Sequence, residues 1–370
     1  MKTQKLLIFH PIIAPYRIDM VNELAKIYDV TLCLYAYNLQ GQKFDIAKLY
    51  DERMRVKPEF LLDKKYNGKS NIRKAMVDAI HIHQPDIVIV SEFSRYAWVV
   101  LLHRLLHRLQ YKVVSLVDDS IDMLLHTHSV FVWHSIARRI TMPLLDQVIN
   151  VDPRAAEWYQ CRYGKGIFFP IVSDDVIYRE RLKRVLPLSE EYVEKYQLEG
   201  KKILMFVGRL SREKNIPAAI DAFKHAKISD SIFIIIGDGP EKEALIREFG
   251  NEESVIFAGR YEGDALYAWY NVAQVLILPS LREPFGAVTN EALMAGCWVL
   301  LSNVAGSGCL IRDDENGNFI FPQDKNNISL QIVKALDHSE QIELPLIVKS
   351  DRMIKPFREY IKNFICAIKC

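Results

Sequence analysis

Ten short apolar runs recur along this chain, separated by longer segments with helical spacing. They are Lys5–His10, Val30–Ala36, Asp86–Ser91, Lys112–Val117 and Gln147–Val151, then Lys202–Val207, Ile232–Ile236, Ser254–Ala258, Gln274–Leu278 and Trp298–Ser302. Stretches such as IFIII and VLIL are apolar at every position and show no alternation. A strand of that kind needs cover on both faces, as in a parallel sheet flanked by helices. Strands alternating with helices make βαβ units.

The rhythm breaks once, between about Phe168 and Gly200, where Pro, Asp and charged residues dominate. A chain of 370 residues is also too long for one ordinary core. The expected architecture is therefore α/β, with two tandem doubly wound Rossmann-like domains facing across a cleft. Residues 1–172 form the first domain and 173–200 the connection, with a helix inside it. Residues 201–350 form the second domain, and 351–370 hold a final helix that packs back on the first. Ligands of such sheets sit outside the carboxyl ends of the strands.

Half the residues are hydrophobic and a quarter charged, the balance of a globular protein. A net charge of +2 offers no bulk attraction for nucleic acid. The halves differ: residues 1–170 carry 23 Lys+Arg against 17 Asp+Glu, and the rest 25 against 29. Eight of the ten histidines also lie in the first half, so the halves are expected to meet different partners. The cysteines, at 33, 161, 297, 309, 366 and 370, form no C-x-x-C pair. They read as buried, reduced thiols of a cytosolic protein. The opening MKTQKLLIFHPIIAPYR lacks a small-residue cleavage site and is broken by proline, so it reads as a first strand and not a signal peptide. No apolar run approaches the roughly 18 residues needed to cross a bilayer. The expected location is the cytoplasm, with contact to the inner face of the membrane.

The ends of the second-half strands carry the chemistry. After KKILMFV come Gly208 and Arg209, then Lys214 at the start of a helix. After SIFIII comes Gly237-Asp238-Gly239-Pro240, a tight turn that lets backbone approach a flat ligand. Arg260 follows VIFAG, and SLREPFGAVTNEALMAG (280–296) follows VLILP. A helix beginning near Ala287 aims the amides of Phe285, Gly286, Ala287 and Val288 at one spot, which suits phosphate. Arg209 and Lys214 would neutralise the rest of a diphosphate. Glu291, about one turn into the helix, suits a ribose diol; Glu283 projects to the other side, toward a sugar on the diphosphate. Each feature alone has an ordinary explanation: an acid near a helix start complements its dipole, and Arg-x4-Lys is a solvated face. Their joint placement at the strand ends of one sheet favours a nucleotide-diphosphate site. GDGP by itself is not the G-x-G-x-x-G dinucleotide fingerprint.

In order, GRLSREKN, GDGP, E-P-F-G-x4-E-A-x2-A-G and NGNFIFP run from about Lys201 to Pro322. They resemble the signature of retaining glycosyltransferases of family four, which have the two-Rossmann-domain type B fold. Pro11, Pro15, Tyr16 and Arg17 resemble, more loosely, the opening loop in a subset of that family. The resemblance implies sugar transfer from a nucleotide-diphosphate donor to an acceptor hydroxyl with the anomeric configuration kept. It assigns Arg209 and Lys214 to the diphosphate, Glu283 to the donor sugar and Glu291 to the ribose. Arg260 would lie near the base, and Tyr16 and Arg17 in the substrate site. No protein nucleophile, metal or other cofactor is implied. Many members have a His-Asp pair after the fourth first-domain strand; here the chain reads Val117-Asp118-Asp119-Ser120, and Asp119 is the substitute. The Asp118-Asp119 pair matches no metal-ligand spacing. Trp298 stands where proline is common and reads as packing.

Segments 95–110 and 129–145 are amphipathic, with His, Arg and Trp beside apolar stripes. They read first as helices covering the first sheet, and second as a basic surface for an anionic membrane carrying a lipid-linked acceptor. The expected function is a glycosyltransferase of surface polysaccharide or glycolipid synthesis. Its partners are a nucleotide-sugar donor and a glycan or lipid-linked acceptor. The alternatives are a nucleotide-sugar epimerase of similar plan and a catalytically dead nucleotide-sugar-binding subunit.

Overall fold

The computed structural model describes residues 3–12, 14–35, 54–62, 72–125 and 132–369, with side chains at 132–134 and 369 left out. Ala36, Cys370 and residues 129–131 of the second amphipathic segment lie outside the described residues. Contact clustering divides the chain into two units: Met1–Ser173 with Arg358–Cys370, and Asp174–Phe357.

The first unit has strands β1 (Lys5–His10), β2 (Asp29–Leu34), β3 (Glu59–Phe60), β4 (Ile87–Ser91), β5 (Lys112–Val117), β6 (Gln147–Asn150) and β7 (Ile167–Phe168). They make one parallel sheet in the order β3-β2-β1-β4-β5-β6-β7. The described helices are α1 (Ile18–Leu24), α2 (Ile72–His83), α3 (Arg95–Leu106), α4 (Ile121–Leu125), α5 (Val132–Thr141) and α6 (Pro153–Tyr163). Strand β4 is buried at all five positions, as apolar sequence without alternation requires. The amphipathic α3 starts at Ser94, whose side chain accepts from the Ala97 amide, and covers the sheet with Ala97, Val100 and Leu101. It leaves Leu102, Leu105 and Leu106 exposed.

The second unit has β8 (Lys202–Val207), β9 (Ser231–Ile236), β10 (Val255–Gly259), β11 (Val275–Leu278), β12 (Trp298–Ser302) and β13 (Gly317–Ile320). They are parallel in the order β10-β9-β8-β11-β12-β13. Its helices are α7 (Asp175–Arg184), α8 (Leu186–Lys195), α9 (Ile216–Ala226), α10 (Lys242–Phe249), α11 (Asp264–Val272), α12 (Val288–Met294) and α13 (Lys325–Asp337). In each sheet the winding reverses once, between β1 and β4 and between β8 and β11. Those switch points open a crevice at the carboxyl ends of the strands.

All ten expected runs are strands. The three that escaped notice are the two-residue edges β3 and β7 and the Gly- and Asn-bearing β13, all too short or too polar to show as apolar runs. Of residues 173–200, expected as a connection with a helix inside it, those from Asp174 onward belong to the second unit and hold α7 and α8, which pack within it. Tyr192 stacks on Trp269 of α11 at 4.6 Å between ring centroids. Tyr178 meets Tyr267 edge-on at 4.8 Å, and Arg184 Nη2 donates to both carboxylate oxygens of Asp264. The charged surface of these helices hid an aromatic face. The final helix α14 (Phe357–Lys369) places Phe364 against Phe169 and Tyr360 against Phe168. Cys33 and Cys297 are buried as expected, whereas Cys161 and Cys366 are exposed and Cys309 is half-buried. Among the described residues no helix is long and apolar enough to cross a membrane.

Candidate nucleotide-sugar site

Residues from both sides of the β8/β11 switch point meet. After β8 the chain makes a turn of 3-10 helix, Arg212–Lys214, and Asn215 adopts a left-handed conformation at φ 54°. The Asn215 side-chain amide anchors the turn by donating to the Pro322 carbonyl at 2.7 Å. The Leu281 amide donates to the Glu213 carbonyl at 2.8 Å, tying this turn to the loop after β11. The tie brings Lys214 to Glu283: the ammonium donates to the carboxylate, which also accepts from the Ser280 hydroxyl at 3.3 Å. Glu283 is buried and Lys214 nearly so. A buried carboxylate is tolerated because a cation and a hydroxyl satisfy it. Lys214 has three donors, so the pair still leaves donors for a second anion.

The Pro284-Phe285-Gly286 turn follows directly. Phe285 is buried, and Gly286 takes φ 93°, where a Cβ would lie 2.6 Å from Leu278. Only glycine fits that turn. Behind it, the Ser307 amide donates to the Phe285 carbonyl and the Gly306 amide to that of Glu283. Ala287 caps α12, which begins at Val288. The next two amides, of Thr289 and Asn290, go to the carbonyls of Gly286 and Ala287. The run Phe285 to Val288 is thus held in one turn at the carboxyl end of β11.

One turn into α12, Glu291 accepts from the Tyr270 hydroxyl at 2.8 Å. Tyr270 is buried, and desolvation with the neighbouring Glu291 charge holds its phenol protonated far above the ordinary range. The hydroxyl therefore stays a donor and orients the carboxylate. The end of α11 that carries Tyr270 is clasped by half-buried Lys349, which donates to the carbonyls of Tyr270 and Asn271 at 3.1 and 2.7 Å. A cation there complements the negative end of the helix dipole. Nothing in the sequence marked Tyr270 or Ser280 as supports of the two glutamates, although Ser280 opens the glutamate motif.

Arg209 is exposed at the end of β8. Gly237 has a reason other than a ligand: a Cβ there would lie 1.8 Å from the Gly208 carbonyl oxygen. At Gly239 it would lie 2.3 Å from the Leu210 carbonyl oxygen. The GDGP turn is glycine-rich because it packs against the loop that carries Arg209. Gly237→Ala should destabilise by about 2 kcal/mol, the usual size of a forced backbone shift, which a urea melt would measure. Arg260 is exposed and paired with Glu262.

The remaining sequence candidates lie in the first unit. Arg17, in the turn Pro15–Arg17, is buried and donates to Asp118 at 2.5 Å. Its guanidinium lies 5.9 Å from the Tyr16 ring centre. Asp119 does not stand out at a surface: it is buried, accepts from the Tyr159 hydroxyl at 2.8 Å, and lies 3.9 Å from Arg138. Adjacent residues of the loop differ in burial: Asp118 is 38% exposed, whereas Asp119 is buried.

Residues 189–346 match the family described as glycosyl transferases group 1. That stretch is similar to group 1 glycosyl transferases. An uncharacterised glycosyltransferase of Methanocaldococcus jannaschii is 33% identical over 142 residues, covering 37% of this chain and 36% of the relative. The chain spans less than half the length of the first curated relatives it matches. Among solved structures, Anabaena HepE in complex with UDP-glucose superposes with a TM-score of 0.69 at 16% identity, over 90% of each chain. The apo form of the lipopolysaccharide outer core galactosyltransferase WaaB gives 0.64 at 17% identity, over 99% of each chain. The likeness to these structures establishes the type B glycosyltransferase fold. The matched stretch contains Arg209, Lys214, Gly237, Arg260, Glu283, Phe285, Gly286, Ala287, Val288 and Glu291; Tyr16, Arg17 and Asp119 lie outside it.

Proposed function

We propose that this chain is a retaining glycosyltransferase that moves a sugar from a nucleotide-diphosphate donor to an acceptor hydroxyl. The observation that carries the reading is the Lys214–Glu283 pair at the β8/β11 switch point, beside the turn that begins α12. Lys214, Arg209 and the amides of Phe285 to Val288 would stabilise the negative charge that grows on the departing diphosphate, ordinarily the largest catalytic contribution of such a site. Glu283, held by Lys214 and Ser280, would accept from hydroxyls of the donor sugar. Glu291, held by Tyr270, would accept from the ribose. UDP-glucose bound to a structure of the same fold supports the donor class. Arg260, at the end of β10, would lie near the base.

Surface polysaccharide or glycolipid is the proposed product, supported by likeness to a lipopolysaccharide galactosyltransferase. Exposed Leu102, Leu105, Leu106, Ile136 and Ile140, with exposed Arg139 on the same helix as the isoleucines, would suit shallow contact with an anionic membrane.

Incubation with a panel of nucleotide sugars, followed for nucleotide-diphosphate release, tests the reaction. Slow release is expected; an isomerised donor would indicate an epimerase instead, and binding without turnover a binding subunit. The cation work is assigned to protein groups, so activity should also survive excess EDTA. Complete loss restored by magnesium or manganese would overturn that assignment.

A further inference from the structure

Three of the histidines concentrated in the first half gather at the amino edge of the first sheet. Helix α2 ends at His83, just before β4, and α3 ends at Leu106, just before β5. His81 lies in the last turn of α2, His103 in the last turn of α3, and His107 caps α3. The ring centroids stand 4.9 Å apart for His81 and His103, 4.8 Å for His103 and His107, and 6.4 Å for His81 and His107. The His107 amide still donates to the His103 carbonyl at 3.1 Å, so the two side chains share one helical face. The negative ends of two helix dipoles meet at this cluster, which favours a cation there.

The hydrogen bonds fix which nitrogens carry protons. The Tyr111 hydroxyl donates to the Val100 carbonyl at 2.9 Å, which uses its one proton. The contact of 3.4 Å between that hydroxyl and His103 Nδ1 is therefore a donation from Nδ1, and the His103 lone pair sits on Nε2. Buried His103 turns this Nε2 to the Nε2 of His81 at 3.0 Å, so the proton between them belongs to His81. A metal-binding histidine is ordinarily oriented in this way, through its other ring N–H. Two nitrogens on a tetrahedral zinc ion, each at about 2.0 to 2.1 Å, stand roughly 3.3 Å apart. An ion replacing the shared proton thus needs the pair to part by only about 0.3 Å. His81 is exposed and keeps its proton by passing it through solvent to Nδ1.

We propose that His81, His103 and His107 hold one divalent transition-metal ion, zinc by geometry, as a clip between α2 and α3. Among the described residues no three such side chains already surround a metal position. His81 and His103 supply the convergent pair, and exposed His107 completes the set by turning about its side-chain bonds. The spacing of His103 and His107 is that of two zinc-binding histidines on one helix face. Water fills the fourth position from a cavity of about 700 Å³ that His81 and Tyr111 line. Magnesium and calcium, which take oxygen ligands, do not suit it. The clip lies at the opposite end of its sheet from the switch-point crevice, so removing the ion costs stability and leaves turnover alone.

The full chain, stripped of metal by chelation and dialysis, is titrated with zinc by calorimetry and with cobalt(II) by visible absorption. Zinc should bind, cobalt should show the intense bands of a tetrahedral site, and zinc should raise the melting temperature where magnesium and calcium do not. His81→Gln and His107→Gln change exposed positions and should each weaken zinc at least tenfold and abolish its effect on melting. His83→Gln is the control: its ring, on the same helix, meets Glu59 and Thr31 instead, and zinc affinity should not change. Absence of zinc binding, a melting temperature that zinc leaves unmoved, or unchanged affinity in His81→Gln or His107→Gln would overturn the proposal. So would an equal loss in His83→Gln, the mark of adventitious binding to surface histidines. None of these readouts depends on the donor site.

Discussion

Lys214→Ala should lower turnover a hundredfold or more and also destabilise the second unit, whereas Arg209→Ala should lose turnover alone. Both remove a preorganised donor to the charge developing on the diphosphate, a loss of roughly 3 kcal/mol in the transition state. Their surroundings differ. Lys214 is the cation that pairs with buried Glu283, and stripping one partner from a buried pair costs about 3 kcal/mol. Arg209 is exposed, where substitution away from special features changes stability by less than about 0.5 kcal/mol. A double variant separates the two effects of Lys214: adding Glu283→Gln to Lys214→Ala removes the stranded charge and should restore much of the melting temperature without restoring turnover. Near-normal rates in both folded single variants would refute the diphosphate assignment.

The two glutamates should fail differently. If Glu283 faces the donor sugar, Glu283→Gln mainly lowers the catalytic rate, and the nucleotide diphosphate alone still binds. The amide oxygen can still accept from Lys214, so stability should change little. If Glu291 holds the ribose, Glu291→Gln weakens the sugar-free nucleotide as well, while Tyr270 can still donate to the new amide. Ordinary helix-end acids would behave otherwise, each change costing a few tenths to about 1 kcal/mol of stability and leaving affinity and rate alone. Calorimetric titration with the nucleotide diphosphate, beside a melting curve for each variant, reads the difference. Equal, small stability losses with unchanged binding would return both residues to that role.

Strand placement was legible because an unbroken apolar run is a local property with one good burial: inside a parallel sheet. The glutamate motif was legible for a similar reason. Gly286 and the start of α12 are written within a few consecutive residues, and a turn into a helix needs little from the rest of the chain. Helices α7 and α8 were not legible as part of the second unit, because Tyr178 and Tyr192 look like scattered aromatics until Tyr267 and Trp269 face them. A packing reason for Gly237 was not legible in the sequence, because the Gly208 carbonyl that excludes a side chain arrives from the adjacent strand's loop.

The sequence by itself therefore determined the two parallel sheets, the type B resemblance and which loops carry acids and cations. It determined them because periodicity, turn residues and helix starts are short-range. Only the tertiary structure decided which acid meets which cation. Lys214 and Glu283 stand 69 residues apart and meet because β8 and β11 are neighbours at a switch point. Glu291 finds Tyr270 across the helix packing. At Asp118 and Asp119 the choice is between adjacent residues of one loop, and the strand end sends the first outward to Arg17 and the second inward to Tyr159. Pairing of charges and hydroxyls is a long-range property, set by strand order and by which side of a loop is buried, and no local pattern encodes it.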